Sequence, residues 1–400
     1  MYRTIKSFIL ILFLCNCICI SKVNAATINA ASCSQSDVES AVNSASNGDT
    51  VIVPSGTAEW NDIDIAVGII LAGAGIDATT ITASEGADQI IDLELGHNEP
   101  TRITGFTFNG NSGNSYGIYA EANTGSHKNT SLRIYHIKFV DCSRSIIMYD
   151  WLYGVIDHNE FANGKTSDVT IYGDASDSWA RGGDAGTGDA IYIEDNTFTY
   201  NSSLAGGHLA TSNKGARYVF RYNTLNTTRA GRPYDVLDAH GYCSAPPRGT
   251  YLIEIYENEF NTSDGGYVGS MVRIRGGRGV IFNNRLIGDT NESGKEIELV
   301  NYRSCDSLAD SAGCDPVGNT YCRDNEGYPC KDQINKLYIW NNTINGVVIT
   351  AYVEDCDDVR EHIQEGRDYF TFQNPGYTPY EYPHPLTYPS RPSNLIIVQP

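Results

Sequence analysis

Two short stretches hold the most reactive side chains of the chain. Asp238-Ala239-His240-Gly241 sets a carboxylate and an imidazole two residues apart, and Arg273-Ile274-Arg275 does the same with two guanidiniums. In an extended strand, residues i and i+2 share a face. Each stretch therefore shows a polar pair on one side and Leu237, Ala239, Val272 and Ile274 on the other. Asp238 and His240 follow Asn223 by 15 and 17 residues, and Arg273 and Arg275 follow Asn258 by the same offsets. Strands stacked on that count align Asp238 with Arg273 and His240 with Arg275, with Glu298 one strand later and His208 one strand earlier. The column suits proton abstraction beside a carboxylate. Arg273 or Arg275 neutralises a uronate carboxylate, which acidifies its α-proton; His240 removes the proton and Asp238 orients the imidazole. Glycoside hydrolysis is the alternative chemistry, with Asp238 and Glu298 two strands, or about 9.6 Å, apart, near the upper edge of the inverting range. The purely structural reading is a set of cross-strand ion pairs worth about 0.2–1 kcal/mol each. Basic residues are scarce, with Lys+Arg 28 against Asp+Glu 48 and a formal charge of −20. Arg273, Arg275 and Arg278 in one stretch thus read as an isolated positive patch, a candidate anion site.

The elements that must hold this column come from an internal repeat. Alternating apolar residues lead to a polar pair ending in Asn, followed two positions later by Phe, Leu or Ile. Copies end at Asn159-Glu160-Phe161, Asn196-Thr197-Phe198, Asn223-Thr224-Leu225, Asn258-Glu259-Phe260, Asn284-Arg285-Leu286 and Asn342-Thr343-Ile344, with looser copies ending at Phe108 and Phe139. The alternation makes each run a strand with one inward face. An Asn at a fixed offset takes the turn conformation and bonds the next coil through its amide. A single coil cannot bury its apolar face, but a stack can. The length alone suggests two or three domains; the repeat replaces them with one solenoid.

This repeat resembles the right-handed parallel β-helix proteins of the pectate-lyase-like superfamily. The resemblance spans roughly residues 30 to 350 and implies an all-β solenoid whose sugar substrate lies along the outer face of one sheet. It leaves the activity open, because the fold hosts lyases, hydrolases, esterases and binding proteins. Polysaccharide lyases of this fold use arginine or lysine in the roles given above to Arg273 and Arg275, often with Ca²⁺. The start agrees with such proteins: Ser36-Asp37-Val38-Glu39 has capping-box form and opens a helix that plugs the first coil, and Thr50-Val51-Ile52-Val53-Pro54 begins a strand. At the other end, residues 353–366 read as a helix, and 351–400 as that helix plus a Tyr/Pro-rich extended tail that packs as a cover. Exported bacterial β-helix proteins often carry a similar tail. Two activity families fit less well. Asp238-Ala239-His240-Gly241 followed by Arg273-Ile274-Arg275 has the polygalacturonase order, but that family's catalytic aspartates are missing. Ile156-Asp157-His158-Asn159 resembles a pectate-lyase motif but falls on the repeat turn.

Residues 172–189 place Asp174, Asp177, Asp184 and Asp189 in a Gly-rich loop, a candidate Ca²⁺ site by ligand type, and Trp179 there is a candidate sugar platform alongside His208, Glu298 and Arg278 as substrate contacts. Residues 1–25 read as a secretory signal peptide, with Arg3 and Lys6 before the apolar run 8–20 and Val23-Asn24-Ala25 at the cleavage site. Removing them takes away Arg3, Lys6 and Lys22 and no acid, so the charge becomes −23. So acidic a chain is a poor partner for nucleic acid or an anionic membrane, and at 41% hydrophobic it can build a core. The expectation is a secreted protein, extracellular or periplasmic, with a polysaccharide as partner. Eight cysteines remain after the signal: Cys33, Cys142, Cys243, Cys305, Cys314, Cys322, Cys330 and Cys356. An even number in an exported chain favours disulfides of undetermined pairing, with a stapled loop at 301–336.

Overall fold

The computed structural model describes residues 25–388, apart from 112–113, 123–127, 175, 203–205, 229–234, 242–248, 265, 291–293, 301–333 and 354–362. All but two of its strands fall into three long sheets of 12, 11 and 10 strands, called here the first, second and third. One coil shows the plan: Arg217–Arg221 lies in the first sheet, Thr224–Thr228 in the second and Asp235–Ala239 in the third. Successive coils pair in parallel, with inward Phe108, Phe139, Phe161, Phe198, Leu225, Phe260 and Leu286 in one register row. Their rings meet at 5.8, 5.1 and 4.6 Å from Phe108 to Phe198, so each coil buries its apolar face on the next.

The corner between the first and second sheets carries the asparagine ladder. The Nδ2 of Asn159 donates to Asn196 Oδ1 at 3.0 Å, and the chain continues through Asn223, Asn258, Asn284 and Asn342 at 3.0, 3.1, 2.9 and 2.9 Å. Each rung also donates to a strand carbonyl of the preceding coil, as Asn223 does to Ile193 at 2.8 Å. One detail differs from expectation. The left-handed conformation belongs to the residue before each Asn, namely His158, Asp195, Tyr222, Glu257, Asn283 and Asn341, with φ between 53 and 58°. The division is physical: the preceding residue makes the bend, which frees the Asn side chain to point inward and satisfy backbone groups that the bend strips from the sheets.

The ends are closed in different ways. Helix α1 (Gln35–Ser44) plugs the first coil with Val38, Ala41 and Val42. Its N-cap is Ser34, whose hydroxyl accepts from the Asp37 backbone, so the helix starts before the expected Ser36. At the other end Tyr352–Val353 and Tyr369–Phe370 add the last strands to the third and first sheets. Most of the helix expected over 353–366 lies outside the described residues. The tail crosses the outer face of the first sheet. Arg221 donates to the carbonyls of Tyr380 and Glu381 at 2.9 and 2.8 Å, Tyr377 donates to Glu254 at 2.5 Å, and Glu194 accepts from the His384 backbone at 2.7 Å. It covers a face whose buried charges, Asp157, Glu194, Arg221 and Glu254, need partners.

The disulfide expectation is corrected at two positions. Cys33 and Cys142 are free, buried thiols. Cys142 donates to the Val140 carbonyl at 3.6 Å, and burial pushes its thiol up to about 12, so it acts as a small apolar residue. Cys243, Cys305, Cys314, Cys322, Cys330 and Cys356, like residues 1–24, lie outside the described residues.

Asn223→Ala strips donors from two strand carbonyls and breaks two rungs, so it should destabilise the protein by about 2–4 kcal/mol. Asn114→Ala removes one exposed hydrogen bond to the Asn111 carbonyl and should cost less than about 0.5 kcal/mol. Urea midpoints of the two variants check the contrast.

Candidate functional site

The column forms on the outer face of the third sheet. Its strands are β1 (Ser167–Tyr172), β2 (His208–Asn213), β3 (Asp235–Ala239), β4 (Ser270–Ile274) and β5 (Ile297–Leu299). Leu237, Ala239, Val272, Ile274, Ile297 and Leu299 are fully buried, which turns the alternate residues outward. Register pairs Thr211 with Asp238, Asp238 with Arg273 and Arg273 with Glu298. His240 and Arg275 follow directly on the ends of β3 and β4.

The ion pairs run diagonally to the register. Asp238 Oδ2 meets Arg275 at 2.9 Å and His240 Nε2 at 3.0 Å, with His208 Nε2 at 3.9 Å. Its Oδ1 is buried without a hydrogen-bond partner. Burial opposes ionisation of this carboxyl, but Arg275, His240 and His208 outweigh it and hold the group well below the usual carboxylate range. Arg273 instead lies between Asp235 at 3.3 Å and Glu298 at 3.1 Å. Asp235 was not legible as a member of the column, because it sits at the start of β3, three residues before Asp238. The tautomers follow from the partners. His240 turns Nε2–H to Asp238, and Arg275 approaches Nδ1 at 3.5 Å. His208 donates from Nδ1 to the Asp235 carbonyl at 2.6 Å. The His240 side chain is 35% exposed, so the dyad reaches solvent.

Four of the arginine and loop expectations change. The arginine patch is not bare, since Asp235, Asp238 and Glu298 match Arg273 and Arg275. Arg278 lies on the first sheet, where it stacks on Tyr251 at 4.3 Å, because the chain turns at Gly276 and Gly277. Trp179 sits in α2 (Ser176–Arg181) and is buried edge-on against Tyr251, its Nε1 donating to the Gly249 carbonyl at 3.1 Å, which leaves no face for a sugar. The loop aspartates do not converge either: Asp174 pairs with Arg181 and Ser178, Asp189 with Lys128, and Asp177 and Asp184 point to solvent. Two of the four are thus already neutralised, and the loop does not fit a Ca²⁺ cage. Among the described residues, Asp62, Asp64 and Asp92, far along the third sheet, do bring carboxylates within 4.8 Å of one another. Burial and then the crowding of Asp62 and Asp64 push Asp92 up to about 7.

A groove of about 250 Å³ opens beside the column, lined by Arg144, Ser167, Tyr172, His208, Thr211 and His240 among others. Arg144 and Lys214 make no ion pair among the described residues. Arg144 lies over Tyr116 at 5.7 Å, and Lys214 over Tyr149 and Tyr172 at 5.4 and 5.0 Å. Among the described residues these two cations lack a direct carboxylate contact, and Lys214 acts on Asp150 through space. The rings of Tyr119, Tyr149 and Tyr172 follow one another at 5.3 and 4.8 Å toward the groove.

Three long sheets of parallel strands stacked coil on coil make a parallel β-helix solenoid. No family model matches the chain, and no curated protein sequence does. Among solved structures it is similar to the A-module of a mannuronan C-5 epimerase of Azotobacter vinelandii, at 15% identity and a TM-score of 0.43 over 88% of this chain and 94% of that one. An alginate lyase of Paenibacillus sp. aligns at 11% identity and a TM-score of 0.38 over 89% and 98%. A family 28 exopolygalacturonase of Yersinia enterocolitica aligns at 10% and 0.40 over 90% and 77%.

Asp238→Asn leaves Arg275 buried without its counter-charge and should cost about 3 kcal/mol at neutral pH. A carboxyl with a lowered folded value contributes stability in full above its unfolded value of about 4 and loses it as the pH falls further. The gap between wild type and Asp238→Asn should therefore be constant from neutrality down to about pH 4 and narrow below it. Denaturation midpoints across that range are the measurement.

Proposed function

We propose that the protein is an exported polysaccharide-active enzyme that cleaves a uronate polymer by β-elimination. The observation that supports this reading is the Asp238–His240–Arg275 cluster at the rim of a groove lined by Arg144. With Nε2–H held by Asp238, a neutral His240 carries its lone pair on Nδ1, next to the Arg275 guanidinium. A uronate carboxylate that accepts from Arg275 puts its α-carbon beside that lone pair. His240 takes the C5 proton, the C5–H electron pair forms the C4=C5 bond, and the C4–O bond breaks. The departing oxygen takes a proton from water. Asp238 holds the imidazole and stabilises the imidazolium that forms. Arg144 and Lys214 attract the neighbouring carboxylates of the polymer.

Hydrolysis is disfavoured by the carboxyl groups themselves. An inverting or retaining pair needs one carboxyl protonated at working pH. Asp238 is held ionised by Arg275, and Glu298 is buried against Arg273. Asp238 therefore has no proton to give to a leaving sugar, which removes one member of the pair.

Purified protein on a panel of polyuronates should generate the ultraviolet absorbance of an unsaturated uronate end. His240→Ala and Arg275→Ala should each lower kcat on the order of 10³-fold. Arg144→Ala should chiefly raise KM. C5 inversion without new absorbance would assign the same proton abstraction to epimerisation. Binding of polyuronate with no chemical change in any polymer would sink the enzyme and favour a carbohydrate-binding module.

A further inference from the structure

Two ladders that climb the first sheet run out in the same coil. The rings of Tyr256, Phe282 and Trp340 stack at 4.7 and 4.4 Å with their planes within 11° and 3°. The next strand, Tyr369–Phe370, pairs only with Leu337 and Tyr338, so the ring column stops at a partly exposed Trp340. Beside it runs a polar ladder made by the left-handed residue of each turn. Asn283 Nδ2 donates to Glu257 at 2.6 Å, and Asn341 Nδ2 donates to Asn283 Oδ1 at 2.6 Å. Every donor in this ladder points to the preceding coil. Its last member therefore offers Asn341 Oδ1 as a fixed acceptor.

Both ends face one cavity of about 390 Å³ between the sheet and the tail. Tyr377, anchored on Glu254 at 2.5 Å, forms one wall. Gln373 forms another, exposed and with its amide bonded to no described residue. We propose that this cavity binds a neutral pyranose residue of a glycan, at a site separate from the groove on the third sheet. The apolar C–H face of the sugar continues the ring column on Trp340, and its hydroxyls bridge Asn341 and Gln373, whose amides offer donors and acceptors together. Phe282, Asn283, Trp340, Asn341, Gln373 and Tyr377 bring no charge to the lining, so a uronate gains nothing there, and the chain's charge of −20 repels it. The proposal does not depend on the elimination chemistry. It gives the protein a second hold on a mixed polymer, away from the cluster on the third sheet.

The test is a titration with neutral hexasaccharides of gluco, manno and galacto configuration, read by tryptophan fluorescence and saturation-transfer NMR. Wild type should bind at least one of them and no hexauronate at this site, and His240→Ala should bind it equally well. Gln373→Ala, an exposed side chain that leaves folding intact, should weaken binding about tenfold. Trp340→Ala should abolish it. Failure of all three sugars to bind at millimolar concentration overturns the proposal, as does unchanged affinity in either cavity variant.

Discussion

The structure depends on one constraint: every coil must repeat the register of the coil before it. The asparagine ladder enforces this at the corner where strand hydrogen bonds are interrupted, since each amide needs the next Asn at a fixed place. Once register is locked there, the side chains of each sheet fall into rows about 4.8 Å apart, and residues far apart in sequence become neighbours. The phenylalanine row is the inward consequence. The outward consequences are the charged column of the third sheet, the tyrosine row beside it and the ring column of the first sheet.

Rows also explain why the charges pair as they do. Like charges on adjacent strands repel, so a row of ionisable groups is tolerable only where signs alternate or counter-charges lie on the diagonal. Asp235, Asp238 and Glu298 interleave with Arg273 and Arg275, and each guanidinium reaches a carboxylate of another strand. At Asp62, Asp64 and Asp92 no cation is interleaved among the described residues, and burial, with the crowding second to it, makes Asp92 hold its proton to about pH 7. The same fold therefore contains both responses to crowding, pairing and protonation. The paired column keeps an ionised carboxylate beside a half-open imidazole, the arrangement that base catalysis needs.

What could be read from the sequence follows from the same rows. The ladder is written in side chains, so the six asparagines were visible, and the offset of 15 carried Asp238 and Arg273 to the right places. That offset holds also for Thr211 after Asn196, but it is 11 for Thr170 after Asn159 and 10 for Ile147 after Ile137, the position that replaces Asn in its coil. Shorter corners there hid Arg144, Tyr149 and Tyr172. The diagonal pairing was hidden for another reason: register fixes which backbones are adjacent, while a long guanidinium selects among several carboxylates within reach. Arg278 was lost to a turn at glycine, and Trp179 to a loop that packs inward.

The two outer faces with the most ionisable groups meet different fates, and the tail decides which. On the first sheet, Asp157, Glu194, Arg221 and Glu254 are covered by residues 377–387, whose backbone groups and tyrosines serve as partners. Covering costs the chain's ordering entropy but removes the need for solvent at buried charges. On the third sheet the Asp238–Arg275 pair is buried while His240 stays half open, Arg144 lines the groove, and Asp238 Oδ1 is buried without a hydrogen-bond partner. A face that only needed stability could have been capped in the same way as the first. This one is left open, with Arg144 and Lys214 set along a tyrosine row and neither in an ion pair among the described residues.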